Sequence, residues 1–436
     1  MIKHLEKYFE FDELNTNWHK ELLAGVTTFI SMSYILFLNP TILGAAGMDK
    51  GAVFTATALA SAIGCIMMGL YAKYPIASAP SLGINAFFAY TVCIGMKVPW
   101  QTALAGVMLA SILFTLITIF KLQDIIIRAI PADLKSAISA GIGLFIAFIG
   151  LHEGGLIVKN SSTLVSLGSL TTPTVWLTIF GLLISAILMI RNVPGAIFIG
   201  MVLTSLLGII TQLIPLPTGI VSAVPSISST FGAAITNIPK INSVQLWVVV
   251  LTFLLVTFFD TAGTLVGLAQ QAGFMKNGTM PRAKKALLTD SVAMFSGSLF
   301  GTSPVGAYVE SSAGIAVGGR SGMTVVFTGI LFILGMFFSP LLTVVTSQVT
   351  APALIIVGVL MASHLSSINW KKLEIAIPAF LIIIGMPLTY SIADGLALGM
   401  ITYPITMLAA KRGKEIPPAM YILAVIFIGF LWILNR

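Results

Sequence analysis

Charged side chains are scarce in this sequence. Asp, Glu, Lys and Arg make up 9% of its 436 residues, and hydrophobic residues make up 57%, whereas a soluble domain carries about 25% charged residues. The mean hydropathy is +1.02. At roughly 20 residues per helical span, about fourteen spans leave only short loops, which excludes a sizeable soluble domain. The apolar runs also exceed the ~10-residue strands of outer-membrane barrels, so we expect an all-α polytopic membrane protein.

Cysteine and histidine are rare too. Cys65 and Cys93 lie in apolar stretches without CxxC or metal-ligand spacing, which argues against a disulfide framework and a metal site. The four histidines lie near predicted span ends, and no HExxH, GxSxG or Walker A motif occurs. An intramembrane enzyme is therefore poorly supported, and neither ATP nor another cofactor is expected.

The net charge of +8 would suggest a nucleic-acid partner in a soluble protein. Here the basic residues cluster in short loops and at span ends, which is the positive-inside pattern of proteins embedded in membrane lipid, so no nucleic acid is expected. Residues 1–21 are charged and lack the apolar core of a signal peptide. We expect them to form an amphipathic segment on the cytoplasmic surface, with the N-terminus in the cytoplasm.

The apolar runs divide the chain into two halves. We predict a first seven-span repeat at 22–214, a Pro/Ser/Thr-rich external loop at 215–244 and a second seven-span repeat at 245–436. Basic residues should mark cytoplasmic span ends: Lys121, Arg128, Lys135, Arg191, Lys276, Arg282, Lys284 and Lys285. The basic loop at 411–414 conflicts with a strict fourteen-span inverted count, which places it outside.

Two segments interrupt the apolar pattern with glycine, proline and polar residues. They read YPIASAPSLGINAFFAYTV at 74–92 and GTSPVGAYVESSAGIAVGGRSG at 301–322. Backbone at membrane depth leaves the helix only where protein or water satisfies its polar groups, and paired interruptions indicate a transporter site. A glycine-rich packing face is the alternative, but it does not explain Glu310. We expect an extended piece and then a half-helix from about Ser311, facing a similar break at 79–85.

A shift of 229 residues superimposes identical residues of the two halves and brings the interrupted segments into register. The identities are Thr28 with Thr257, Phe29 with Phe258 and Pro75 with Pro304. An odd number of spans per half would make the two repeats inverted.

Four acids lie within predicted spans: Asp260, Asp290, Glu310 and Asp394. A carboxylate at a helix centre costs roughly 2.5–3.5 kcal/mol, so each needs a function or a partner. We predict site roles for Asp260 and Glu310, with a helix-packing hydrogen bond as the alternative for Asp260. Asp290 suits a structural or gating hydrogen bond, and Asp394 suits a helix cap.

Asn85 can donate and accept hydrogen bonds, either toward a cavity or between helices. Phe87, Phe259 and Tyr308 could offer aromatic faces near these polar groups, although most aromatic residues in membrane helices serve packing.

In four motifs the chain resembles the AzgA-like branch of the nucleobase/ascorbate transporter superfamily. They read FEFDELNTNWHKELLAGVTTFISMSYILFLNP at 9–40, APSLGINAFFAY at 79–90, FFDTAGTLVGLAQQAG at 258–273 and SPVGAYVESSAGIAVGGRSG at 303–322. The resemblance implies two inverted seven-span repeats arranged as core and gate domains, with purine bound between broken third and tenth spans. It also implies a multi-pass protein of a bacterial cell membrane, with a homodimer as an open possibility.

The implied substrate contacts are Asn85, Asp260, Glu310 and the backbone of Tyr308, Val309 and Ser311, with Phe87 and Phe259 as aromatic neighbours. Guanine and hypoxanthine present N–H donors along one edge, which suits carboxylates because they only accept. Asp260 or Glu310 could carry a coupled proton, and one proton crossing ~150 mV supplies about 3.5 kcal/mol. We therefore predict proton-coupled purine uptake by alternating access. An adenine permease of the same branch, a same-fold carrier of another polar solute or anion, and a passive channel are the alternatives.

Overall fold

A computed structural model describes residues 2–121, 130–275 and 280–434. The described chain is mostly helical, and nine of its helical segments are long and apolar enough to span a membrane. Shorter apolar helices of 10–17 residues are interspersed among them. The prediction of a helical, multi-pass membrane protein is confirmed. Two predicted cytoplasmic positions, Arg128 and Lys276, lie outside the described residues.

The helices up to residue 240 are α1 (Ile2–Tyr8), α2 (Trp18–Met32), α3 (Ile35–Ala45), α4 (Lys50–Met67), α5 (Leu82–Ala86), α6 (Trp100–Ile119), α7 (Ala132–Glu153), α8 (Pro173–Ile190), α9 (Ala196–Ile210) and α10 (Ala233–Asn237). The later helices are α11 (Val244–Gln271), α12 (Ala283–Phe300), α13 (Ser311–Ala316), α14 (Met323–Gly335), α15 (Ser347–Ala362), α16 (Leu373–Thr389), α17 (Ile392–Ala409) and α18 (Pro418–Leu434). The strands are β1 (Ser78–Pro80), β2 (Ile157–Asn160), β3 (Leu164–Leu167) and β4 (Val305–Ala307).

The first apolar run is divided between α2 and α3 at Ser33 and Tyr34. Pro40 lies inside α3 and has no N–H to donate to Leu36 one turn earlier. The helical hydrogen bond that Pro40 cannot form therefore lies close to the boundary between α2 and α3. Consequently Tyr34 sits at a discontinuity in the middle of a membrane span.

The long helices pack in two groups. In one group α4 and α2 pack on α14, and α6 packs on α11 and α12. In the other, α7 packs on α15 and α16, α8 on α9 and α15, and α16 on α17. Close backbone approach at Gly69 and Gly322 joins α4 to α14, since a Cβ at Gly322 would lie 2.1 Å from the carbonyl oxygen of Gly69. Each group contains helices of both halves.

The chain departs from a purely helical fold outside the long helices. β2 and β3 form an antiparallel hairpin between α7 and α8, which the sequence analysis did not predict. The predicted external loop at 215–244 contains α10 and a 3₁₀ turn at Ile238–Lys240. A strict count of seven spans per half stays a prediction, because α13 has only six residues and two residues separate α16 from α17.

The N-terminal segment packs against the protein itself. Phe9 and Phe11 are buried, and the carboxylate of Glu10 lies 3.1 Å from Lys73 Nζ and 3.4 Å from Arg282 Nη1. Only α1 is a regular helix here. Buried aromatic side chains and ion pairs fix residues 9–11 to the helices beneath. The cytoplasmic amphipathic segment at 1–21 stays a prediction.

Candidate functional site

The two interrupted segments meet as an antiparallel pair of short strands. β1 pairs with β4 in the register Ser78 to Ala307, Ala79 to Gly306 and Pro80 to Val305. Each strand is followed by a half-helix, α5 after β1 and α13 after β4. The predicted extended piece and the helix start at Ser311 are therefore confirmed.

Backbone groups of the two interrupted segments form hydrogen bonds with each other. Ser81 N donates to Pro304 O at 3.0 Å, and Tyr308 N donates to Ala77 O at 2.8 Å. Gly306 leaves no room for a side chain, because a Cβ there would lie 2.8 Å from Thr261 Oγ1. Extended backbone at membrane depth is tolerated here because protein groups replace the missing helical hydrogen bonds.

Glu310 immediately precedes α13 and is half-buried. Its carboxylate accepts a hydrogen bond from the hydroxyl of Tyr34, which is fully buried at the discontinuity between α2 and α3. The sequence analysis missed Tyr34. The only signal was its place in the N-terminal motif, since a tyrosine in an apolar run is otherwise unremarkable in a membrane helix.

Asp260 lies on α11 and is also half-buried. Its Oδ2 accepts a hydrogen bond of 2.9 Å from Ser81 Oγ, the residue just before α5. Asp260 and Glu310 are close enough to interact electrostatically. The structure thus brings the two predicted acids to the start of the two half-helices. Two like charges so placed favour a proton or an N–H donor between them.

The residues flanking Glu310 hold the break together. Ser311 Oγ donates to Tyr308 O at 2.7 Å and accepts from Ala77 N at 2.9 Å. Tyr308 is buried and its hydroxyl donates to Pro80 O at 2.9 Å. The Val309 side chain, by contrast, is 54% exposed. Val309 is therefore exposed beside Glu310, while Ser311 and Tyr308 support the surrounding backbone.

Asn85 is fully buried, and both ends of its side-chain amide are hydrogen-bonded to protein groups. Its Nδ2 donates to Asn39 Oδ1 at 2.7 Å, and its Oδ1 accepts from Ser303 Oγ at 2.6 Å. Asn39 Nδ2 in turn donates to Thr57 and Thr302, both at 2.7 Å. These partners favour the alternative of a hydrogen bond between helices, and a contact of Asn85 with substrate stays a prediction.

The two candidate aromatic residues differ in their surroundings. Phe87 is fully buried and packs edge-on against Phe253, with ring centroids 5.1 Å apart. Phe259 is half-buried, and Lys135 Nζ of α7 lies 5.6 Å from its ring centroid. Phe259 therefore meets the second helix group, whereas Phe87 packs within the first.

The other two intramembrane acids have structural surroundings. Asp290 is fully buried and accepts a 2.5 Å hydrogen bond from Ser78 Oγ, so it supports β1 as a structural hydrogen bond would. Asp394 does not cap α17. Ser391 does so, because its Oγ accepts from Asp394 N at 3.2 Å. Asp394 lies in the first helical turn, where the helix dipole favours a carboxylate.

Two facing discontinuous spans, with half-exposed acids where the half-helices begin, define a membrane transporter rather than an enzyme. Residues 19–398 match the profile of the family described as Permease family (Xan_ur_permease). The chain belongs to this permease family, so the resemblance identified from the motifs is confirmed.

Full-length relatives agree with this assignment. The chain is 54% identical to the guanine/hypoxanthine permease PbuG of Bacillus subtilis, with 97% of this chain and 98% of the relative covered. It is 45% identical to the guanine/hypoxanthine permease PbuO of the same organism, covering 98% and 100%. It is 44% identical to the adenine permease AdeP of Escherichia coli, covering 97% and 95%.

Solved structures share the fold at low sequence identity. The transmembrane domain of the cyanobacterial bicarbonate transporter BicA matches with a TM-score of 0.63 at 16% identity, covering 90% of this chain and 97% of that one. SLC26A9 matches with a TM-score of 0.63 at 11% identity, covering 92% and 67%. At such identities the likeness concerns the fold alone.

Proposed function

We propose that this protein takes up purine nucleobases, guanine and hypoxanthine foremost, by proton-coupled alternating access. The observation that carries the proposal is a pair of partly buried acids: Glu310 precedes α13, and Asp260 accepts a hydrogen bond from Ser81, which precedes α5. The names of the 54% and 45% identical relatives support the substrate class.

The acids fit a substrate that donates hydrogen bonds. A carboxylate only accepts, and guanine and hypoxanthine present N–H groups along one edge. In this proposal the base lies between the breaks beside Val309, and its N–H groups donate to Glu310 and Asp260. Tyr34 keeps the Glu310 carboxylate in place from the buried side.

Proton coupling follows from the charge arrangement. Two interacting carboxylates repel each other in a poorly hydrated site, so binding a proton at one of them relieves the repulsion. Loading one proton together with the uncharged base halves the negative charge of the two carboxylates. That change favours movement of the site across the membrane, because an uncompensated charge is costly there.

An anion carrier of the same fold is the second candidate, since the BicA domain shares the architecture. An anion would have to bind beside two carboxylates and would be repelled by both. An adenine permease, suggested by the 44% identity to AdeP, differs more subtly, because adenine has an acceptor where guanine and hypoxanthine carry a ring N–H.

Uptake of labelled hypoxanthine into cells that lack their own purine permeases tests the proposal. An excess of unlabelled guanine should abolish the signal, while adenine, xanthine and uracil should compete weakly. A protonophore should abolish uphill accumulation. Competition by adenine alone would favour the adenine alternative. Accumulation that survives the protonophore would refute proton coupling, and absence of any purine uptake would refute the substrate class.

A further inference from the structure

Two charged residues, Arg320 and Glu21, hold the half-helix α13 at its C-terminal end, which is opposite Glu310. Arg320 Nη1 donates to Ile315 O at 2.6 Å and to Gly319 O at 2.8 Å. These carbonyls lie at the end of α13 and in the turn that follows it. The guanidinium group therefore satisfies backbone acceptors that a short helix leaves unpaired at its C-terminus.

Glu21 fixes the turn that carries Arg320. Its side chain is fully buried, and its carboxylate accepts from the backbone N–H groups of Arg320 at 3.1 Å, Ser321 at 3.2 Å and Thr324 at 3.1 Å. The hydroxyls of Thr324 and Thr16 also donate to it, at 2.5 and 2.6 Å. Glu21 thereby ties the start of α2 to the start of α14.

Between these two ends, α13 lies directly on α2. A Cβ at Gly314 would lie 2.0 Å from Thr28 Oγ1 and 2.6 Å from Ala24 O. The six residues of α13 cannot form a stable helix by themselves, since isolated helices need at least 12–15 residues. Its position is therefore set from outside, by α2, Arg320 and Glu21.

We infer that Arg320 and Glu21 are positioning residues, which set the place of α13 and hence the place of Glu310 at its other end. This inference rests on the proposed function for its transport readout, because Glu310 is the group that is positioned. Arg320 contacts backbone carbonyls at the far end of α13 and Glu21 contacts the turn that follows, so both act on Glu310 through the backbone of α13.

The first measurement is the position of the break itself. Val309 adjoins Glu310 and is exposed, so Val309→Cys can be labelled with a maleimide after Cys65→Ala and Cys93→Ala remove the native thiols. We expect Arg320→Ala and Glu21→Gln to change the labelling rate of Val309→Cys at least three-fold. Arg320→Lys, which keeps one donor group, should give an intermediate rate.

The second measurement is transport in the same variants with all native cysteines present. KM for hypoxanthine should rise about ten-fold in Arg320→Ala, the equivalent of losing one charge-assisted hydrogen bond, while Vmax per folded transporter changes less than about two-fold. Arg320→Lys should recover part of the loss. Arg412→Ala is the matched control, because Arg412 pairs with Glu374 and Glu415 away from α13 and should leave KM and labelling unchanged.

The outcomes separate the two proposals. Altered labelling together with raised KM supports the inference. Altered labelling in a protein that transports no purine supports the inference and refutes the proposed function. Unchanged labelling and KM in the surviving protein, with only the amount of protein reduced, overturns the inference. If the Arg320→Ala protein does not fold or insert into the membrane, the labelling and KM of Arg320→Lys and Glu21→Gln decide by the same criteria.

Discussion

The two broken spans share a backbone but differ in chemistry. The 229-residue shift places Leu82 on Ser311, so α5 and α13 begin at equivalent residues. The residue just before each half-helix is Ser81 in the first break and Glu310 in the second. A strand followed by a half-helix therefore occurs in both halves. At the equivalent position before the half-helix, the first half has the hydroxyl of Ser81 and the second half has the carboxylate of Glu310.

The contacts of these two residues cross between the halves. Ser81 donates to Asp260 of α11, and Glu310 accepts from Tyr34 beside α2. Under the same shift, the counterpart of Asp260 is Ser31 and that of Tyr34 is Gly263. Both acids therefore belong to the second half, and both of their hydroxyl partners belong to the first. Under the proposed function, both acids that bind the base therefore come from the second half, although each half contributes a strand and a half-helix.

The half-helices are also held differently. Asn85 of α5 is equivalent to Gly314 of α13 under the shift. Asn85 is fixed by hydrogen bonds to Asn39 and Ser303. Gly314 is fixed by backbone contact with α2. Mutations at equivalent positions should therefore have unequal effects, which makes the comparison testable.

The largest effect is expected for Gly314→Ala. The new methyl group would overlap Thr28 Oγ1, so α13 must move away from α2 and carry Glu310 with it. A shift of about 1 Å at a reacting group can cost on the order of 100-fold. Hypoxanthine uptake per folded transporter should fall by at least that factor. Normal uptake by Gly314→Ala would show that the tight contact does not place the site.

Glu310→Gln should have the next largest effect. The amide presents N–H donors where the base also donates, and a buried unsatisfied donor costs about 1–3 kcal/mol. Purine affinity should then fall roughly 5- to 150-fold, measured by competition binding or by KM. Wild-type affinity and unchanged pH dependence of accumulation would remove Glu310 from the site.

Asp260→Asn tests which acid carries the proton. Ser81 can still donate to the amide oxygen, so the fold should hold. Counterflow exchange of labelled for unlabelled purine needs no net proton movement and should persist if Asp260 is the carrier, whereas uphill accumulation should drop about ten-fold and lose its dependence on external pH. If Glu310→Gln shows this result instead, with accumulation lost and exchange kept, the proton is assigned to Glu310.

Sequence reasoning located the breaks because proline, glycine and polar residues are incompatible with an ordinary membrane helix. The start of the second half-helix at Ser311 followed from that pattern, whereas Asp260 was singled out as an acid inside a predicted span. Such local sequence signals predict the structure well because backbone at membrane depth must either be helical or have its polar groups paired with protein or water.

Side-chain partners were beyond sequence reasoning. Tyr34 and Glu310 are 276 residues apart, and nothing local marks one as the partner of the other. The orientation of Asn85 depends on Asn39 and Ser303, which come from two other segments. The cap of α17 was assigned to Asp394 and is Ser391, because the helix begins three residues earlier than the acid suggested.

Asn85→Ala should affect stability more than transport. The substitution removes the donor Asn85 Nδ2 from Asn39 Oδ1 and leaves Ser303 Oγ with only its longer hydrogen bond of 3.3 Å to Asn39 Oδ1. Loss of a buried partner costs about 1–3 kcal/mol, seen as a lower melting temperature in detergent. KM should change less than about three-fold. Asn39→Ala is the matched variant, and the double mutant should be less than additive because both residues share one network.

Ser81→Ala should have a much smaller effect on KM than Glu310→Gln, which sharpens the contrast with Glu310 at the equivalent position. Removing the hydroxyl takes one hydrogen bond from Asp260 Oδ2, but Asp260 is half-exposed and water can replace the donor. A replaceable hydrogen bond contributes about 0.5–1.5 kcal/mol, so KM for hypoxanthine should rise only about two- to ten-fold, with accumulation and its pH dependence retained. Both variants should be measured in the same cells. If KM rises as much in Ser81→Ala as in Glu310→Gln, both breaks bind the base equally. The chemical asymmetry between the halves would then have no functional consequence.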